Sequence, residues 1–140
     1  MTQRRHGTAV AIGGRAVLLL GPSGTGKSDL ALRLVDRGAV LVADDQLLLA
    51  AEGGTLFCRA PEGFSGRMEV RGLGIVKLEA VAAARVALAV ELGAGGERLP
   101  PPSTVEIDGI SIARIRLDPR APAAPILVEL AFNGAVEPIE

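Results

Sequence analysis

Aromatic residues are nearly missing from this chain: three Phe, no Trp and no Tyr among 140 residues. Any core must therefore be aliphatic, and the 49% hydrophobic content is enough to build one at single-domain length. Charge of one sign is also lacking. A net charge of −1 provides no field that would gather nucleic acid, so no nucleic-acid partner is expected. Cys58 is the sole cysteine, which excludes an intrachain disulfide and fits a reducing compartment. Its simplest reading is a small, half-buried apolar residue. No signal peptide is recognisable, since Met1–Arg5 is polar and Ala16–Leu20 is too short for a signal core. Nor does any apolar run reach the ~20 residues that span a bilayer. The expectation is a cytoplasmic protein without a membrane partner. Lysine is scarce as well: Lys27 and Lys77 are the only two among 15 basic residues, which makes the position of Lys27 informative.

What is present reads as an α/β pattern. Thr8–Ile12 and the apolar run Ala16–Leu20 flank Gly13-Gly14, a two-residue hairpin turn. Gly21–Gly26 is a loop. From Lys27 to Arg37, the positions Leu30, Ala31, Leu34 and Val35 recur at helical spacing, and Gly38 is placed as a C-terminal cap. Val40–Ala43 and Gln46–Ala50 read as strands separated by two aspartates. Residues 52–66 read as loop with a short strand near Thr55–Cys58. Met68–Lys77 suggests a close backbone approach at Gly72 and Gly74, followed by a strand. Ala84–Leu92 reads as a strand, with its alanine content leaving a helix open, and Gly93–Ser103 reads as a mobile loop. Thr104–Leu117 reads as a hairpin turning at Asp108-Gly109, and Ile126–Asn133 as a closing helix. One domain over residues 1–140 is expected, without repeats.

The chemistry concentrates at Gly21-Pro22-Ser23-Gly24-Thr25-Gly26-Lys27-Ser28, which matches G-x-x-x-x-G-K-[ST] between a strand and a helix. At this composition about 0.002 such matches are expected by chance. Phosphates demand a loop without bulky side chains, so that successive backbone N–H groups converge on them at a helix N-terminus. Lys27 then reaches the β- and γ-phosphates, and Ser28 offers its hydroxyl to Mg²⁺. Asp44-Asp45 ends the next buried strand, where ligands bind in open α/β sheets. One of the pair could bind the metal through water, and the other could take a proton from an attacking hydroxyl. These residues point to a nucleotide phosphotransferase or hydrolase using ATP and Mg²⁺, and they leave the acceptor open. A small-molecule or nucleoside kinase and a non-catalytic ATP-sensing module share the same features.

Several separated segments narrow this. Arg5-His6-Gly7, Gly21–Ser28, Ala43-Asp44-Asp45, Met68-Glu69-Val70-Arg71-Gly72-Leu73-Gly74-Ile75-Val76, Glu97-Arg98-Leu99 and Asp118-Pro119-Arg120 follow one another in an order that resembles the C-terminal catalytic domain of bacterial HPr kinase/phosphorylase. The fourth segment is the most specific. The resemblance covers roughly residues 5 to 130 and is to the short, stand-alone form found in alphaproteobacteria, without the family's N-terminal domain. It implies a P-loop-containing mixed sheet with flanking helices, similar to the phosphoenolpyruvate carboxykinase core. It also implies ATP-dependent phosphorylation of a serine on the phosphocarrier protein HPr, reversal by phosphate with release of pyrophosphate, and a homo-hexamer. By resemblance, Asp45 is the general base with His6 beside it, Asp44 assists that base or the metal, Lys27 binds phosphate, and Ser28 and Glu69 are magnesium ligands. Arg98 is an active-site arginine, and Arg120 a loop residue tied to the reverse reaction. In that last loop Ala123 stands where the family's pattern expects a second basic residue, and Pro22 stands where many relatives carry an acid.

Overall fold

The architecture was analysed in a computed structural model that describes residues 2–94 and 96–137; Gly95, one glycine of the expected 93–103 loop, lies outside the described residues. Among the described residues, eleven strands and two helices run in the order β1 (Thr2–His6), β2 (Thr8–Ile12), β3 (Arg15–Leu20), α1 (Lys27–Asp36), β4 (Val40–Ala43), β5 (Gln46–Glu52), β6 (Thr55–Arg59), β7 (Arg67–Val70), β8 (Gly74–Lys77), β9 (Ala84–Leu92), β10 (Ser103–Ile107), β11 (Ile110–Leu117) and α2 (Ala124–Phe132). The expected α/β mixed sheet is present. Nine strands form one sheet, ordered β1-β5-β6-β9-β3-β2-β4, with β11 added on β9 and β10 on β11. The central strand β9 runs parallel to β3 and β11 and antiparallel to β6.

The sheet curls because two long runs of chain bend together. Residues 2–12 form β1 and β2 with only Gly7 between them, and residues 40–52 form β4 and β5 with only Asp44-Asp45 between them. β1 pairs with β5, and β2 pairs with β4, both antiparallel. The Gly7 amide donates to the Asp45 carbonyl at 3.0 Å, so the two bends are fastened to each other. The corner is tight at Gly7: an added Cβ would stand 3.1 Å from both Leu20 Cδ2 and Leu47 Cδ1, so those side chains would have to shift.

Alternation along β3 divides the core. Ala16, Leu18 and Leu20 face the inside of the curl with Leu47, Leu49, Leu56 and Cys58. Val17 and Leu19 face the opposite side, against Leu30, Ala31 and Leu34 of α1, Met68 of β7 and Val128 of α2. Each fully buried leucine contributes about 1.5–3 kcal/mol relative to exposure. Cys58 is more deeply buried than its sequence suggested, at 1% exposure, and burial pushes its thiol up to about 12, far from any nucleophilic form. Among the described residues, no helix is long and apolar enough to cross a membrane.

Two expectations are corrected. From the sequence no strand is expected before Thr8, whereas Thr2–His6 is an edge strand on β5. Residues 67–77 form a separate two-stranded hairpin, β7–β8, and a Cβ on Gly72 or Gly74 would meet nothing within 4 Å, so those glycines serve positive-φ turns and not a close approach.

Candidate active site

β3 and β4 both run antiparallel to β2, so their C-terminal ends emerge at the same rim. That rim carries the expected phosphate loop after Leu20 and the two aspartates after Ala43. The loop's curvature depends on positive-φ glycines. At Gly21, φ is +152° and an added Cβ would lie 3.0 Å from Thr25 Oγ1 and 3.1 Å from the Leu92 carbonyl. Gly26, with φ +99°, is the N-cap of α1. Thr25 closes the loop internally by donating from Oγ1 to the Pro22 carbonyl at 2.7 Å.

Lys27, the first residue of α1, is only 6% exposed. Its ammonium folds over the loop and donates to the carbonyls of Gly21 at 2.8 Å and Pro22 at 2.9 Å. Burial lowers its pKa from 10.5, and the negative charges of Asp45 and then Asp44 work in the opposite direction.

The two aspartates face different groups. Asp44 is half-buried, and its Oδ1 accepts from Ser28 Oγ at 2.6 Å and from Thr8 Oγ1 at 3.1 Å. Asp45 has a side chain 67% exposed, with Oδ1 3.3 Å from His6 Nδ1. His6 Nε2 in turn lies 3.3 Å from Ser23 Oγ, which links the acid to the phosphate loop through one imidazole. His6 reaches the site because β1 ends there, despite its place near the start of the chain. Asp45 adopts the left-handed conformation, φ +71°, which places its side chain on the open side of the bend.

These groups line a cavity of about 840 Å³ with Glu69, Arg67, Arg71, Met68, Phe64 and Ile75 from the β7–β8 hairpin and its approach. Of the expected phosphate-binding residues, Ser23, Gly24, Gly26, Lys27 and Ser28 line it. Gly21, Pro22 and Thr25 do not, and instead shape the loop from behind. His6, Asp44, Asp45 and Glu69 line it too. Arg98 and Arg120 are exposed and do not. The Arg120 amide donates to Asp118 Oδ1 at 2.9 Å, holding a turn outside the cavity. Glu69 and Arg71 form no ion pair; Arg71 sits in the hairpin turn and not on the strand face with Glu69.

Sequence reasoning missed Thr8 and Arg67. Thr8 sits unmarked in an apolar strand, and only the structure shows that it and Lys27 are the two buried polar or charged residues among those described. Arg67 just precedes the segment Met68–Val76, but no spacing rule selects it.

The donor set suits a hard divalent cation. No group of three or more His, Cys, Asp or Glu capable of a closed metal site occurs among the described residues. Ser28 Oγ and Asp44 Oδ1 nevertheless present oxygen donors at the mouth of α1, and Mg²⁺ typically takes one or two protein oxygens plus water and phosphate. Lining carboxylates Asp29, Asp44, Asp45 and Glu69 outnumber the cations Lys27, Arg67 and Arg71, so a polyphosphate here needs an added counter-charge.

Known proteins match the chain in sequence and in fold. Residues 1–90 match the family model described as HPr serine kinase C-terminal domain. The HPr kinase/phosphorylase of Mycoplasmopsis pulmonis is 43% identical over 76 residues, 54% of this chain and 25% of that protein. That of Caldicellulosiruptor bescii is 47% identical over 76 residues, 54% of this chain and 24% of that protein. The matched segment is thus about a quarter of the length of these curated relatives. The structure of the HPr(Ser) kinase/phosphatase from Coxiella burnetii superposes with a TM-score of 0.83 at 28% identity, covering 95% of each chain.

Proposed function

Since the chain belongs to the HPr serine kinase C-terminal domain family, we propose that it is an ATP- and Mg²⁺-dependent kinase that phosphorylates a serine of the phosphocarrier protein HPr. One observation carries the reading. A phosphate loop bearing Lys27 and Ser28 shares a cavity with an aspartate, Asp45, whose carboxylate faces open space where a hydroxyl can approach.

Each residue's task follows from its contacts. Lys27 exchanges the carbonyls of Gly21 and Pro22 for β- and γ-phosphate oxygens while the loop amides hold the rest of the triphosphate. Ser28 and Asp44, with Glu69, are the oxygen donors available to Mg²⁺, which when bound neutralises charge on the triphosphate. Asp45 takes the proton of the attacking seryl hydroxyl, and His6 orients its carboxylate. Arg67 and Arg71 supply positive charge from the hairpin side of the cavity. Positioning and electrostatics of this kind supply most of the catalysis in phosphoryl transfer.

The test is incubation with ATP, Mg²⁺ and HPr, followed by mass measurement. HPr should gain one phosphoryl group, and a serine-to-alanine HPr should gain none. Transfer to a panel of small metabolites in place of HPr would replace this reading with a small-molecule kinase. A persistent, unhydrolysed ATP complex in the presence of HPr would replace it with a sensing module.

A further inference from the structure

A second system of contacts reaches the phosphate loop from outside the cavity. Arg33, further along α1, does not line the cavity. Its Nη2 donates to the Pro119 carbonyl and lies 3.1 Å from Asp29 Oδ2, and its Nη1 donates to the Ala121 carbonyl at 3.5 Å. Pro119 is buried, and its ring is what Gly26 meets: a Cβ on Gly26 would stand 3.4 Å from Pro119 Cγ. Gly26 immediately precedes Lys27. One line of contacts therefore runs from Arg33 through Pro119 to the glycine on which the phosphate loop turns into α1. The arrangement carries a cost, because Arg33 Nε is buried without a partner. A solvent-facing arginine paired only with Asp29 would avoid it.

We infer that Arg33 is a positioning residue for the triphosphate. It fastens residues 118–121 to α1, so that Pro119 backs Gly26 and holds the loop amides in the geometry that phosphates require. The inference rests on the kinase reading and adds to it a residue outside the cavity that sets nucleotide affinity. A planar fork donating to two carbonyls while pairing with a carboxylate is something lysine cannot reproduce.

The experiment compares the parent chain with Arg33→Lys, Pro119→Ala and the double variant. It measures ATP dissociation constants by calorimetry, KM and kcat with HPr, and thermal melting. Each single change should weaken ATP binding and raise its KM roughly tenfold while kcat moves less than about threefold, and the double variant should be no weaker than the worse single, since both break the same line of contacts. Additive losses, or an unchanged ATP affinity beside a lowered melting temperature, would overturn the inference and leave Arg33 a merely structural residue. If Arg33→Lys does not fold, Pro119→Ala decides alone, by the presence or absence of the affinity loss. A parent that binds no ATP would overturn the kinase reading and this inference with it; a parent that binds ATP as tightly as its variants would overturn this inference alone.

Discussion

Substitutions at Asp45 separate chemistry from backbone geometry, because the residue carries both a proposed proton acceptor and a left-handed φ of +71°. Aspartate, asparagine and glycine tolerate that conformation, whereas alanine is penalised by roughly 1–2 kcal/mol. The Asp45–His6 contact is solvent-exposed, so its loss should cost less than about 1 kcal/mol. Stability should therefore rank Gly at or above Asp, Asn close to Asp, and Ala lowest, with a melting temperature reduced by roughly 3–8 °C. Activity should rank differently. Removing a general base typically costs 10²–10⁴-fold, about 3–5 kcal/mol of barrier, and Asn, Gly and Ala lack the proton acceptor alike. The assay is phosphoryl transfer to HPr under saturating ATP, paired with thermal melting and an ATP titration that should show binding kept. If Asp45→Asn or Asp45→Gly transfers phosphate within about threefold of the parent, the base lies elsewhere. If only Asp45→Ala is impaired, the residue acts through its backbone.

Ser28→Ala removes the 2.6 Å donor to Asp44 and a candidate Mg²⁺ ligand; transfer should fall at least about tenfold and the Mg²⁺ concentration for half-maximal activity should rise, both read from a Mg²⁺ titration. Lys27 loses its proton at a lower pH than a free lysine, so its cation disappears as pH rises through that lowered value; ATP affinity should decline on an alkaline limb beginning below pH 10.5, and Lys27→Met should bind weakly with no such limb. Gly7→Ala forces a methyl to within 3.1 Å of Leu20 and Leu47, and should destabilise the fold by about 1–3 kcal/mol in urea melts.

How much of this was legible in the residues depended on burial. The strands β3 and β4 announce themselves as apolar runs because they pack on both faces, whereas the alanines of β9 leave a helix open there; the Gly13-Gly14 and Asp108-Gly109 turns demand a positive φ that few other pairs accept. β1 was illegible for the converse reason. Its residues are exposed or half-exposed, and the strand exists through backbone pairing with β5, which leaves no hydrophobic periodicity to read. The phosphate loop and Asp44-Asp45 could be found from spacing, but not which acid faces Ser28, because that depends on how the bend turns each side chain. Nothing in the sequence marks Arg33, since its carbonyl acceptors lie on a distant segment of the chain. For Arg98 and Arg120 the family pattern specifies residue types, and neither side chain lines the cavity.

The joined corner of the sheet bears on how a substrate must arrive. Asp45 sits on a crease that both flanking strands continue through, with its own carbonyl tied to Gly7 and its amide hydrogen-bonded to Thr8 Oγ1 at 3.4 Å. What these bonds hold is the main chain that bears the carboxylate: displacing it would open two ladders at once, and only rotation of the side chain is left to it. In the reaction proposed above, an incoming hydroxyl would therefore meet its acceptor at a backbone position set by the sheet itself.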